Sequence, residues 1–282
     1  MLLKRKTSAE TLKLQEKYGV PYLVFPSLEN TGLVRHAFST RLGGCSTGDL
    51  ATMNLSSTRG DDPENVKENF RRFGAAVGFD PKDLVLSLQT HTTNVRLVTE
   101  EDRGKGFTRP RDYKDVDGLI TNVPGLVLAT FYADCVPLYF VDPVHRAIGL
   151  SHSGWRGTVN RMGAVTLQRM EEAFGTSPSD VWTAIGPSIC QDCYEVSEDV
   201  AQEFISAFEG RVDDRLLYRK ENGKYQLNLW RANELVLLES GVPKDRIAVT
   251  NICTCCNPQV LFSHRASKGK RGNLGAFLQL LS

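Results

Sequence analysis

An α/β (α+β) architecture follows from three features of this 282-residue sequence. Apolar runs of strand length crowd its middle, amphipathic stretches of helical period lie beyond them, and turns rich in Gly, Pro or Asp separate the two. Residues 84–88, 95–98 and 118–121 read as strands. So do 126–132 and 138–141, which bracket Ala133-Asp134-Cys135-Val136-Pro137, and 147–150. Some runs are continuously apolar and others alternate, so buried and half-exposed strands are both expected.

The helical period is clearest between 158 and 174. There Met162, Val165, Met170 and Phe174 recur among Arg161, Arg169, Glu171 and Glu172, as in a single amphipathic helix. Ser197 opens a second helix carrying Val200, Phe204, Ile205 and Phe208, and a third over 230–239 stops at Gly241-Val242-Pro243. Asp61 or Asp62 caps a further helix, with Pro63 in its first turn. The polar stretch 99–117 reads as a long surface loop. No linker, repeat or low-complexity tract divides the chain. One domain over residues 1–282 is expected, with 1–20 as an N-terminal helical extension.

Lys and Arg number 34 against 33 Asp and Glu, a balance that argues against a dedicated nucleic-acid binder. No apolar run approaches the ~20 residues of a membrane span, so neither nucleic acid nor membrane is an expected partner. The basic start Met1-Leu2-Leu3-Lys4-Arg5-Lys6 has no apolar core behind it, so a cytoplasmic location is expected. Seven cysteines in a reducing compartment suggest thiols or metal ligands rather than disulfides.

Three strand ends carry reactive side chains: His91, Cys135 and His152. Converging on one rim, they suit an open zinc site with a fourth position free, or a Cys nucleophile with a His base. A small buried cysteine and two histidines at strand ends is the plain alternative. His152-Ser153-Gly154-Trp155-Arg156-Gly157 leads from a strand into a helix start, where Arg156 and backbone N–H groups could meet an anion. Arg41, in the turn before Gly43-Gly44, could do the same. The pairs Cys190/Cys193 and Cys253/Cys256 could supply four thiolates to a structural zinc, but buried thiols in ordinary turns are the preferred reading.

Taken together, these motifs resemble one family. Residues 35–44 (Arg-His-Ala-Phe-Ser-Thr-Arg-Leu-Gly-Gly), Gln89-Thr90-His91, Asp117-Gly118, Ala133-Asp134-Cys135, the 152–157 segment, Cys193-Tyr194-Glu195-Val196 and Phe262-Ser263-His264-Arg265 are similar to the YfiH/YlmD-like family. That family carries an older laccase or polyphenol oxidase label and is now described as purine nucleoside phosphorylases. The resemblance implies a four-layer α/β/β/α sandwich with mixed sheets, similar to the catalytic domain of cytotoxic necrotising factor toxins. It implies zinc held jointly by His91, Cys135 and His152. It also implies phosphorolysis of adenosine, inosine, guanosine and methylthioadenosine, with deamination of adenosine. Cys45-Ser46-Thr47 and the Cys255-Cys256 pair depart from the family pattern, close to expected substrate walls.

Purine nucleosides and phosphate are thus the expected partners, with Arg41, Arg71 and Arg156 as candidate phosphate contacts and Asp134 as a candidate proton shuttle. Two rivals stand beside this reading. One is a copper-dependent polyphenol oxidase, against which five histidines are too few for a four-copper centre. The other is a metal-free hydrolase or deamidase in which Cys135 attacks and His152 is the base.

Overall fold

The chain enters through a hairpin, β1 (Lys13–Lys17) and β2 (Val20–Val24), turned at Tyr18-Gly19 with both residues at positive φ. A computed structural model describes residues 3–282; residues 1 and 2 lie outside the described residues. After α1 (Pro26–Glu29) come β3 (Val34–Ser39) and α2 (Pro63–Val77). Asp62 accepts a hydrogen bond from the Glu64 N–H to cap α2, and Gly78 ends it in the left-handed region. Strands β4 (Leu84–Leu86), β5 (Val95–Leu97), β6 (Gly118–Thr121), β7 (Val127–Tyr132) and β8 (Val136–Asp142) follow. Strand β9 (Ala147–Ser153) runs into α3 (Trp155–Val159) and α4 (Met162–Phe174). Then follow β10 (Trp182–Ile185), β11 (Glu195–Val196), α5 (Glu198–Ala207), β12 (Leu217–Arg219) and β13 (Tyr225–Leu227). The chain closes with α6 (Leu229–Glu239), β14 (Ile247–Val249), α7 (His264–Ser267) and β15 (Leu274–Leu280).

Two six-stranded sheets result, ordered β1-β2-β3-β15-β7-β4 and β14-β10-β8-β9-β6-β5, beside a small sheet β11-β13-β12. Both large sheets are mixed: β4–β7, β5–β6 and β10–β14 are parallel, and the other neighbours antiparallel. Period-2 alternation sorts their side chains into separate apolar layers. In β7, Leu128 and Tyr132 enter a core shared with Tyr139, Val141, Ile148 and Leu150 of the other sheet. Val127 and Ala129 instead face Phe70 and Phe73 of α2. In β8, Leu138 and Phe140 turn away from the shared core toward Leu167 and Met170 of α4 and Val236 of α6. The packing order is helix, sheet, sheet, helix.

Two expectations are corrected. Residues 3–20 contain no helix; they lead into and form the β1–β2 hairpin. The Lys- and Glu-rich stretch at 10–17 suits a helix by propensity, but its pairing with the wholly buried β2 wins, and its charges suit a sheet edge. The single helix over 158–174 is broken at Asn160-Arg161, where Arg161 takes the left-handed conformation and starts a new helix. No helix among the described residues is long and apolar enough to cross a membrane.

Candidate active site

The site is organised around Asp117, which is fully buried just before β6. Its carboxylate accepts the backbone N–H groups of Thr90, His91 and Thr92 at 3.0, 3.1 and 3.0 Å, and the Thr92 hydroxyl at 3.0 Å. The loop after β4 is thereby wrapped round one carboxylate, with His91 at a φ of 66°. Asp117 Oδ1 also pairs with His152 Nδ1 at 2.8 Å, which leaves Nε2 of that ring free to act. Burial opposes ionisation of Asp117, yet His152 and the converging donors hold its carboxyl below the usual range.

Cys135 is brought to His152 by the β8–β9 hairpin. The register pairs Val136 with Ser153 and Pro137 with His152, so both residues sit at its open end. Cys135 Sγ lies 3.9 Å from His91 Nε2, and the two imidazoles stand edge to face with centroids 4.9 Å apart. One ligand atom from each of His91, Cys135 and His152 lies within 4.8 Å of the others, a donor set and spacing that fit a single metal ion. Gly154 leaves room for this approach: a Cβ there would lie 3.0 Å from His91 Cδ2 and 3.2 Å from Cys135 Sγ. Burial alone would push the Cys135 thiol up, but His152 and His91 bring it down to about 6. Burial likewise lowers His152, while Cys135 and Asp117 outweigh it and raise the ring to about 9.

Asp134, the candidate proton shuttle, is placed instead to orient the turn and is absent from the cavity lining. Thr254 Oγ1 donates to its Oδ1 at 2.6 Å and the Arg265 N–H to its Oδ2 at 2.7 Å, so both oxygens hold the turn that aims Cys135.

The triad opens on a cavity of about 450 Å³ with Phe70, Phe107 and Phe131 among its apolar walls. None of the three arginines expected at phosphate lines it. Arg41 donates to the Ala51 and Pro258 carbonyls and stacks on Phe262. Arg71 is paired with Glu68 on the exposed face of α2, and Arg156 is exposed over the Trp155 ring. The cavity is instead lined by Arg59, Arg111 and Arg271. Arg59 and Arg271 bond only to backbone carbonyls and to Asn273, and the buried Arg271 Nε has no partner. Burial and the neighbouring Arg59 push Arg271 down to about 10. Arg111 donates to the Ser87 carbonyl, so among the described residues all three guanidinium groups line the cavity without a carboxylate partner, an arrangement suited to an anion.

Residues 35–281 match the family model described as multi-copper polyphenol oxidoreductase laccase. The purine nucleoside phosphorylase YlmD of Bacillus subtilis (strain 168) is 35% identical over 254 residues, covering 89% of this chain and 90% of the relative. The solved structure of YlmD from Geobacillus stearothermophilus superposes with a TM-score of 0.88 at 33% identity, covering 97% of this chain and 100% of that one. This chain belongs to the YfiH/YlmD-like family. Another relative, adenosine deaminase RL5 from an unknown prokaryotic organism, is 33% identical over 231 residues, covering 81% of this chain and 87% of the relative.

In this YfiH/YlmD-like protein the departures at 45–47 do not reach the cavity wall. Cys45 and Ser46 are clamped by Asn69, whose Oδ1 accepts from the Cys45 N–H and whose Nδ2 donates to Ser46 Oγ. Nor do the remaining histidines join the triad: His36 packs between Phe25 and Tyr139, His145 pairs with Asp142, and His264 is exposed at the start of α7. Arg59 carries a weak sequence signal, being inside the polar Arg59-Gly60-Asp61-Asp62 run. Arg271 carries none, because only the approach of the loop before β15 brings it to the cavity.

Proposed function

We propose that this protein is a zinc-dependent purine nucleoside phosphorylase that also deaminates adenosine. Its substrates are adenosine, inosine, guanosine or methylthioadenosine with phosphate, and its products the free base and the pentose 1-phosphate. The observation that carries this reading is that one cavity joins the His91–Cys135–His152 donor set to the unpaired guanidinium groups of Arg59 and Arg271. A zinc ion held by the triad would supply Lewis-acid polarisation of a phosphate or water oxygen.

The chain's own groups account for the rest. Arg59 and Arg271 hold phosphate, and a phosphate oxygen bonds to the anomeric carbon as the glycosidic C–N bond breaks and its electron pair leaves on the purine. The Phe70, Phe107 and Phe131 walls exclude water around the base. No carboxylate lines the cavity among the described residues, so the purine takes its proton from water or from a cationic side chain.

A second reading keeps one observation of its own. A thiol brought to about 6 beside an imidazole raised to about 9 is a thiolate–imidazolium pair, the form in which Cys135 would act as nucleophile in a metal-free hydrolase. Product analysis separates the two. Metal-quantified protein incubated with adenosine is expected to yield adenine and ribose 1-phosphate only with phosphate, and inosine without it. The His91→Ala, Cys135→Ala and His152→Ala variants should yield neither. Zinc-loaded protein that forms no purine product would sink the assignment and favour the hydrolase.

A further inference from the structure

A second group of candidate metal donors stands apart from the cavity, formed by four cysteines expected as ordinary buried thiols. Cys190 and Cys193 follow β10, Cys253 and Cys256 follow its parallel neighbour β14, and the two Cys-x-x-Cys segments meet. They are tied by a Ser188–Cys253 bridge and by the Thr254 N–H donating to the Ser188 carbonyl at 3.1 Å. All four sulfurs lie within 4.8 Å of one another, and the Cys193 and Cys256 sulfurs are 3.5 Å apart. Four thiolates at 2.3 Å from one zinc ion stand about 3.8 Å apart at the corners of a tetrahedron. We propose that Cys190, Cys193, Cys253 and Cys256 bind a second, structural zinc ion.

The surroundings suit a thiolate cage. Cys253 Sγ accepts two backbone N–H groups, from Cys190 at 3.2 Å and Cys256 at 3.4 Å, which stabilises negative sulfur. Lys6 Nζ, 2.7 Å from Asp192 in the first Cys-x-x-Cys segment, places a cation beside it. Cys190 and Cys253 are buried and the other two half-buried, as in a closed site with no open coordination position. A four-iron cluster spreads its thiolates over four metal atoms and needs a wider cage than this one. Two disulfides would separate the sulfurs into pairs, whereas here they form a single group.

Such an ion would also brace the catalytic wall. Thr254, inside the second segment, donates to Asp134, and Arg265 reaches both the Asp134 carboxylate and the Cys193 carbonyl. The inference stands on the cysteine geometry and not on the reaction assigned to the cavity.

The test counts metal in full-length protein purified without chelator under reducing conditions. Wild type should hold about two zinc ions per chain. The triple variant His91→Ala/Cys135→Ala/His152→Ala, which leaves the four cysteines intact, should keep about one. Loaded with cobalt, that variant should show the thiolate-to-cobalt charge-transfer and intense d–d bands of a tetrahedral all-sulfur site, and alkylation of Cys190, Cys193, Cys253 and Cys256, mapped by peptide mass, should be suppressed until metal is stripped. Cys193→Ser/Cys256→Ser should lose this ion. Because the triple variant and wild type carry the decisive count, misfolding of the serine variant leaves the test standing. A metal-free triple variant with Cys190, Cys193, Cys253 and Cys256 all freely alkylated overturns the proposal. So does a native disulfide among the four found by intact mass, or iron with acid-labile sulfide in place of zinc.

Discussion

Asp117 shows how one side chain can set a whole site. It is buried and accepts from the backbone of the His91 loop on one side and from the His152 ring on the other, so it positions both the His91 loop and the His152 imidazole. Asp117→Asn would turn an amide NH2 toward donors already present. Metal affinity at the triad is expected to fall about 10- to 100-fold, as read by chelator competition against wild type. Arg271 is the corresponding residue at the proposed phosphate site. Losing a charge-assisted contact worth about 2 kcal/mol, Arg271→Met should lower kcat/KM for phosphate about 30-fold in phosphorolysis. Phosphate-independent deamination should change only a few-fold. Steady-state rates at varied phosphate check the split, and equal loss in both reactions would remove Arg271 from the phosphate site.

Among elements, the β8–β9 hairpin and the turn into α3 do most to bring the triad together. Cys135 and His152 are 17 residues apart because the chain runs down one strand, turns and returns to the same end. A slip of one residue would send His152 to the opposite face. Gly154, which caps α3 at a φ of −74°, is needed for space and not for backbone freedom. Gly154→Ala should therefore fold with an unchanged far-UV circular dichroism spectrum while its Cβ crowds His91 and Cys135. Retained metal and turnover are expected to drop together, about 10-fold or more for a sub-ångström displacement of ligands. Full metal occupancy in this variant would show that the triad tolerates the added methyl.

The stability of the whole molecule depends on the core between the sheets, and His36 lies in it. Its Nε2 accepts the Phe25 N–H at 2.8 Å, and its ring packs against Phe25 and against Tyr139 of the opposite sheet. Burial pushes this imidazole down to about 3, so it is neutral in the folded protein. The unfolded chain protonates below about 6.5 and then binds the extra proton. The His36 contribution is therefore fully present above about pH 6.5 and is lost as pH falls toward 3, at up to about 1.4 kcal/mol per pH unit. Urea unfolding of wild type and His36→Gln at pH 6.5 and 4.5 tests this. Wild type should lose more stability over that interval than the variant; equal losses would mean that His36 is solvated or charged in the fold.

At every scale, the sequence by itself determined the features that depend on neighbours in the chain. The apolar runs at 84–88, 118–121 and 126–132 became β4, β6 and β7, because their composition suits burial inside paired sheets. The Asp62-Pro63 helix start and the Ser197 start also hold, since a helix begins on local backbone and side-chain geometry. His91, Cys135 and His152 stand out as rare residue types at strand ends, and the family motifs carry them. Only the tertiary structure decided the rest. It pulled residues 13–17 into a sheet edge against their helical propensity, placed Arg59, Arg111 and Arg271 rather than Arg41, Arg71 and Arg156 on the cavity wall, and gathered two distant Cys-x-x-Cys segments into one cluster. Each of these depends on which loops meet across the two sheets, a matter of long-range packing to which residue type and spacing along the chain are blind.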